Sequence, residues 1–183
     1  MSHVAHLVTK IMIYEHLINA LNTCNIPYVT KNATIFHGTQ HIFIPIDIAV
    51  LPDAKNSTNG KFGYRKVKGE YVVEYYVGDG VDTKILHRIN YAYAESAVRA
   101  QMCKAGFHFM GVSVQPDCKR LTFRRDTATV IATITQNAGI TIETKGFKGK
   151  SCVDATKQIE LAVGITTKDT KTKEFYEPSP GSV

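Results

Sequence analysis

Five branched residues at alternate positions, Ile42, Ile44, Ile46, Ile48 and Val50, constrain this chain more than any other feature. A period of two places all five on one face of an extended strand. Only a sheet with a buried face has a use for such a run. Pro45 lies inside it and cannot donate to a ladder, so the strand is expected at a sheet edge or at a bulge.

The rest of the chain reads as short strands punctuated by turn residues, with three helical stretches. Val4 to Ile11 reads as a strand, and Met12 to Thr23 as a helix carrying Tyr14, Leu17, Ile18, Leu21 and Cys24 on one face. Asn25 and Pro27 end that helix. A strand follows from Val29 to His37, then the isoleucine strand, then a surface loop from Leu51 to Lys61 with an Asn59-Gly60 turn. Phe62 to Val67 and Glu70 to Val77 predict a hairpin turning at Lys68-Gly69. Asp82 caps a second helix, Thr83 to Ala105, with Leu86, Ile89, Tyr93, Ala97 and Ala100 inward and Gly106 as its stop. Two more hairpins follow. One joins Phe107–Val114 to Arg120–Arg125 through Pro116-Asp117, and the other joins Thr127–Thr135 to Ile140–Thr144 through Asn137-Ala138-Gly139.

The segment KGFKGKSCVDATKQIELAVG, Lys145 to Gly164, then opens a third helix. Ser151 is its N-cap and Asp154 a box-like partner, while Cys152, Ala155, Thr156, Ile159, Ala162 and Val163 fall on one face. Gly149, Lys150 and Ser151 also reproduce the tail of a phosphate-binding loop. Such a loop needs a glycine where this chain has Thr144, and Gly146 comes two positions too late. Lys148, Gly149, Lys150 and Ser151 therefore stand as a candidate anion contact at a helix start, with a nucleotide or phosphometabolite enzyme as the rival reading. A strand from Thr166 to Phe175 and a frayed tail finish the chain.

This order is α+β: antiparallel sheet with helices on one face, in two small packed units. Residues 1–125 read as strand-helix-strands-helix-hairpin, and residues 126–178 as a small ββαβ unit of hairpin, helix and strand, with 179–183 a tail. A unit of that second size is marginal alone, so it is expected to pack on the first or on another copy.

Charge narrows the function. The chain carries a net charge of +6, and all of it falls in residues 61–125, where twelve basic groups face six acidic ones. Arg65, Lys66 and Lys68, with Arg120, Arg124 and Arg125, form the expected binding patch for an acidic partner, protein or nucleic acid. Tyr71, Tyr75 and Tyr76, with Phe62 and Tyr64, lie beside the first cluster and are candidates for stacking on single-stranded bases. No cofactor, metal or catalytic set is expected. The cysteines Cys24, Cys103, Cys118 and Cys152 form no C-x-x-C pair and suit a reducing, cytoplasmic setting. His37 and His41 flank one turn without a nearby carboxylate, and His3 and His6 alternate across a strand. No apolar run is long enough to span a bilayer, and no secretory leader is read at the start.

Two resemblances sharpen the division. The opening MSH, the segment HRINYAYAESAVRAQMCKAGF and the following FHFMGVSVQPDCKRLTFRR resemble a conserved family of cyanobacteria and plastids known only as a domain of unknown function, across residues 1 to about 125. Residues from about 128 to 178, with KGFKGKSC and the acidic-aromatic EFYEP, resemble a second small family of unknown function. The resemblance implies partner proteins that act together, beside a AAA-type ATPase, and carries no catalytic residues. Asn32 to Ile42 and the 51–61 loop are unlike the first family and point to a divergent, viral-type version. The leading expectation is a non-enzymatic adaptor, and a self-assembling homo-oligomer is the structural alternative.

Overall fold

The structure is a computed structural model, and it describes residues 3–37, 42–51, 59–60, 62–75, 83–147, 157 and 159–171. In chain order the elements are β1 (His3–Thr9), α1 (Tyr14–Thr23), β2 (Tyr28–Val29), β3 (Thr34–His37), β4 (Ile42–Pro45), β5 (Ile48–Val50) and β6 (Asn59–Gly60). They continue with β7 (Phe62–Val67), β8 (Glu70–Tyr75), α2 (Thr83–Lys104), β9 (His108–Val114), β10 (Cys118–Arg125), β11 (Ala128–Thr135), β12 (Gly139–Lys145) and β13 (Gly164–Lys171). Residues 159–163 are helical and lead directly into β13. The expected α+β class is the observed one.

Two compact units form, one from Met1–Lys10 with Ala94–Val183 and the other from Ile11–Tyr93. They do not divide at 125/126, as the sequence suggested. That point is the turn between β10 and β11, two neighbouring strands paired in register from Cys118↔Thr135 to Arg125↔Ala128. The expected ββαβ unit also fails to close on itself. In the six-stranded order β13-β1-β12-β11-β10-β9, β1 lies between β12 and β13, antiparallel to both. A return from β12 to β13 runs parallel and needs a crossover. Here that crossover spans one strand, and the N-terminus of the chain fills the gap.

Alternation builds the core of this sheet unit. On β10, β11 and β12, Leu121, Phe123, Val130, Ala132, Ile134, Ile140, Ile142 and Thr144 are buried, while their neighbours along each strand are half-exposed or exposed. The register places Leu121, Ala132 and Ile142 side by side across three strands, so the buried set is one face. The second half of α2 covers it, with Ala94, Ala97, Val98 and Met102 buried. Each large apolar side chain taken from water contributes roughly 1.5–3 kcal/mol. The Glu95–Lys119 ion pair on the same face, at 2.8 Å, is half-exposed and contributes about 1 kcal/mol or less. Burial therefore sets the docking of α2, and the ion pair orients it. Ala100, expected inward, is exposed. The helix ends as expected: Gly106 N–H donates to Cys103 O and Phe107 N–H to Met102 O.

In the other unit the isoleucine run breaks into two strands of different sheets. β4 is an edge of the sheet β4-β3-β6, and β5 is internal to β2-β5-β7-β8. The break has local partners: Ile46 N–H donates to Ala33 O, Asp47 N–H to Tyr64 O, and Lys66 N–H to the Asp47 carboxylate. Ile48, Ala49 and Val50 are all fully buried, because β5 is covered on both faces. The expected strand from Val29 to His37 is likewise split, with Asn32 at φ 51 between β2 and β3. The hairpin β7–β8 forms as read, with Lys68 (φ 51) and Gly69 (φ 90) in the turn and Val67 opposite Glu70. Two positive φ values are the signature of a type I′ turn.

α1 starts without a side-chain cap of its own, since Ile13 occupies the N-cap. The Tyr93 hydroxyl takes that role from α2, accepting the N–H groups of Met12 (2.8 Å) and Ile13 (3.1 Å). At the other end Arg88 donates to Cys24 O at 2.9 Å. Asn25 sits at φ 52, with Ile26 N–H on Leu21 O and Asn25 N–H on Asn22 O, a paired-bond helix stop.

Candidate functional site

The expected basic patch separates into two parts. Arg65, Lys66 and Lys68 lie on β7 and its turn, in the unit Ile11–Tyr93, whereas Arg120, Arg124 and Arg125 lie on β10 in the six-stranded sheet. In the first part the cations have local partners. Arg65 Nε is 3.6 Å from Glu74, its guanidinium donates to Pro45 O, and Lys66 Nζ lies 5.4 Å from the centre of the Tyr71 ring. The rings named as a stacking surface are mostly core: Phe62, Tyr64 and Tyr71 are buried, and Tyr75 is exposed. Tyr76 lies outside the described residues. Strand aromatics here pack a two-layer interior, which removes most of the platform that single-stranded bases would need.

On β10, alternation sends consecutive basic residues to opposite faces. Lys119 and Arg125 face α2. Lys119 bonds Glu95, which also holds Arg99 at 2.9 Å, and Arg125 donates to Ala105 O at 2.8 Å with its guanidinium 4.6 Å over the Phe107 ring. Arg125 is thus a packing residue of the core face. Arg120 and Arg124 stand on the other face. The register extends this arrangement across four strands: His108 opposite Arg124, Arg124 opposite Thr129, and Thr129 opposite Lys145. A second row holds Ser113, Arg120, Thr133 and Thr141. Between them Gly111, Thr122, Ile131 and Glu143 form a third.

Strand spacing of about 4.8 Å puts Arg124 and Lys145 roughly 10 Å apart, and four residues along β10 put Arg120 roughly 13 Å from Arg124. Those separations are close to the screening length of about 8 Å at physiological salt, so the fields overlap weakly and fall with added salt. Three cations against the one carboxylate of Glu143 leave this open, threonine-rich face positive. Sequence reading missed Lys145 and His108, since neither belongs to a basic run. Strand register alone joins them to Arg124.

The same sheet ends in a strand that is apolar and uncovered. β9, HFMGVSV, is the edge of the order and pairs only with β10. Phe109 packs on Phe123 at 5.5 Å, with the Arg99 guanidinium 4.1 Å over its other side. Even so, Phe109, Met110, Val112 and Val114 are exposed, Val114 to 68%. A bulge between Phe109 and Gly111 leaves Met110 without a partner on β10. The signal was present in the sequence, as a strand apolar on both faces and free of charge, but it reads equally as a buried strand.

The loop of the rival reading is described only at its start. Gly146 adopts φ 74, and a Cβ there would lie 2.3 Å from Thr127 O, so glycine is required by the close approach of the hairpin. Phe147 is buried and stacks on Phe107, centroids 6.1 Å apart. Both residues are accounted for by packing. Lys148, Gly149, Lys150 and Ser151, the candidate anion contacts, lie outside the described residues, as do Asp82, His41 and Cys152. Ile159, Ala162 and Val163 are buried, as the helical spacing predicted. Cys24, Cys103 and Cys118 carry free thiols. Among the described residues no three His, Cys, Asp or Glu side chains gather as a metal site. No described helix is long and apolar enough to cross a membrane.

Residues 130–176 match a family described as a protein of unknown function, DUF2997. This agrees with the second resemblance, drawn across about 128 to 178. The match covers β11, β12, the helix and β13, but neither β1 nor the exposed edge β9. No curated protein and no solved structure matches the chain.

Proposed function

We propose that this protein is a non-enzymatic binding protein, an adaptor, whose positive sheet face captures an acidic protein partner. The observation that carries this reading is the row His108–Arg124–Thr129–Lys145, together with Arg120, on the open face of the six-stranded sheet. Its cations contact no carboxylate among the described residues, and Arg124 Nε meets only a backbone oxygen, Asp126 O. An acidic surface would supply the missing partners. Protein is favoured over single-stranded nucleic acid because Phe62, Tyr64 and Tyr71 are committed to the core. The AAA-type ATPase implied by the resemblance is the first partner to try.

Binding of a polyglutamate peptide and of a single-stranded oligonucleotide, each measured across a salt series, tests the proposal. Polyglutamate is expected to bind, to weaken as salt rises, and to lose about tenfold in affinity, near 1.4 kcal/mol, when Arg120, Arg124 and Lys145 are replaced by Ala. Preference for the oligonucleotide would make nucleic acid the partner instead. Affinity indifferent to salt would overturn the electrostatic reading altogether.

A further inference from the structure

The open face explains why an acidic partner would come, but not the apolar strand beside it. Edge strands are normally blunted by charge, proline, a bulge or a cover, because their unpaired N–H and C=O groups template the addition of another strand. β9 has a bulge at Met110 but carries no acid, lysine, arginine or proline. Beyond the bulge, Gly111 to Val114 pair regularly with Thr122 to Lys119, and the other edge of that stretch is free. The geometry points to β9 as a site of strand addition for an extended segment of the partner, one that alternates apolar and acidic residues. This rests on the acidic-partner reading and adds the manner of capture.

The alternation follows from the two faces of the sheet. A strand laid along β9 would place every second side chain on the α2 side, beside Val112 and Val114, which lie in line with buried Leu121 and with Lys119. Those positions call for apolar residues. The intervening side chains would lie on the open face beside Ser113 and His108, roughly 10 Å from the Cα atoms of Arg120 and Arg124 one strand further in. A glutamate and an arginine bridge that separation between them, since long side chains reach diagonal and next-strand neighbours. Main-chain hydrogen bonds would then give affinity, and the alternating pockets specificity. A second copy of β9 fits less well. It brings no carboxylate, and it would set its own Arg120 and Arg124 against those of the first copy.

A short peptide alternating glutamate and valine is the probe, with an isomer that groups its valines as the control. Amide hydrogen exchange follows β9, and solution mass follows self-association. Because successive N–H groups of a strand point to opposite edges, Val112→Pro and Ser113→Pro form an informative pair: one removes a bond to β10, the other only an outward donor. Circular dichroism identifies the variant that keeps the fold. The expected result is that the alternating peptide binds about tenfold tighter than its isomer, protects β9 amides, and loses at least tenfold in affinity to the folded proline variant. If Arg120→Ala with Arg124→Ala weakens the peptide while β9 gains no protection and the folded proline variant binds normally, strand addition fails and acidic capture survives. If no acidic probe binds, both fail. A dimer whose β9 amides are already protected without peptide would also overturn the inference.

Discussion

His16 lies edge-on to Tyr93, ring centroids 6.2 Å apart at 77°, and burial pushes its pKa below the ordinary 6.5, with Glu15 pulling partly the other way. The folded imidazole therefore resists a proton that the unfolded chain accepts. The sign follows: stability is full above about pH 6.5 and is lost as the pH falls from there through the lower folded value. Urea midpoints measured at neutral and at mildly acidic pH are expected to show that loss, and His16→Gln to reduce it. A midpoint that rises on acidification would refute this. At the same scale, the six basic residues of the expected patch were visible in the sequence as a charge excess. Their grouping was not. Arg124 and Arg125 are adjacent and read as one cluster, yet a period of two sends Arg125 to Ala105 O under α2 and Arg124 to the open face. Lys145, which looked like part of the glycine loop, belongs with Arg124 because Thr129 lies between them in the sheet.

Helices and strands were legible where their causes are local. α1 and α2 were read within two residues of their observed ends, and the hairpins β7–β8, β9–β10 and β11–β12 were read with their turns, since spacing, caps and positive-φ residues all act within a few positions. What a helix borrows from a distant element was not legible. α1 has an isoleucine at its N-cap and depends on the Tyr93 hydroxyl. Tyr93→Phe keeps the ring and deletes the acceptor for two N–H groups. It is expected to cost about 1–2 kcal/mol, the range for losing a good cap, and to fray α1 in hydrogen exchange. An unchanged melting temperature would show that water caps the helix as well. The isoleucine run shows the converse case. Its alternation was correct as a strand signal and misleading as one strand, because Asp47 accepts the Lys66 N–H and Ile46 turns back to Ala33.

At the scale of the molecule, β1 holds the six-stranded sheet together. It pairs with β12 at six positions and with β13 at seven. Removing it strips β13 of its only strand neighbour and opens a second edge on β12. Domain stabilities are about 5–15 kcal/mol, and two ladders with their buried face exceed what such a unit can lose. A chain starting at Ile11 is therefore expected to lose the cooperative unfolding of the sheet unit, and a synthetic peptide of residues 1–10 added in trans to restore part of it. The segment 130–176 expressed alone should show the same dependence, since the matched region lacks β1. Cooperative folding of that segment without the peptide would contradict this account.

The sequence alone settled the class of elements, their order and their turns, and it located the charge excess, because those follow from interactions between near neighbours along the chain. The tertiary structure decided that β1 enters between β12 and β13, that the isoleucine run serves two sheets, and that His108, Arg124 and Lys145 share a row. Those outcomes depend on pairing between segments far apart in sequence. No local pattern records which strand will be the neighbour, so only the folded sheet could show which side chains meet.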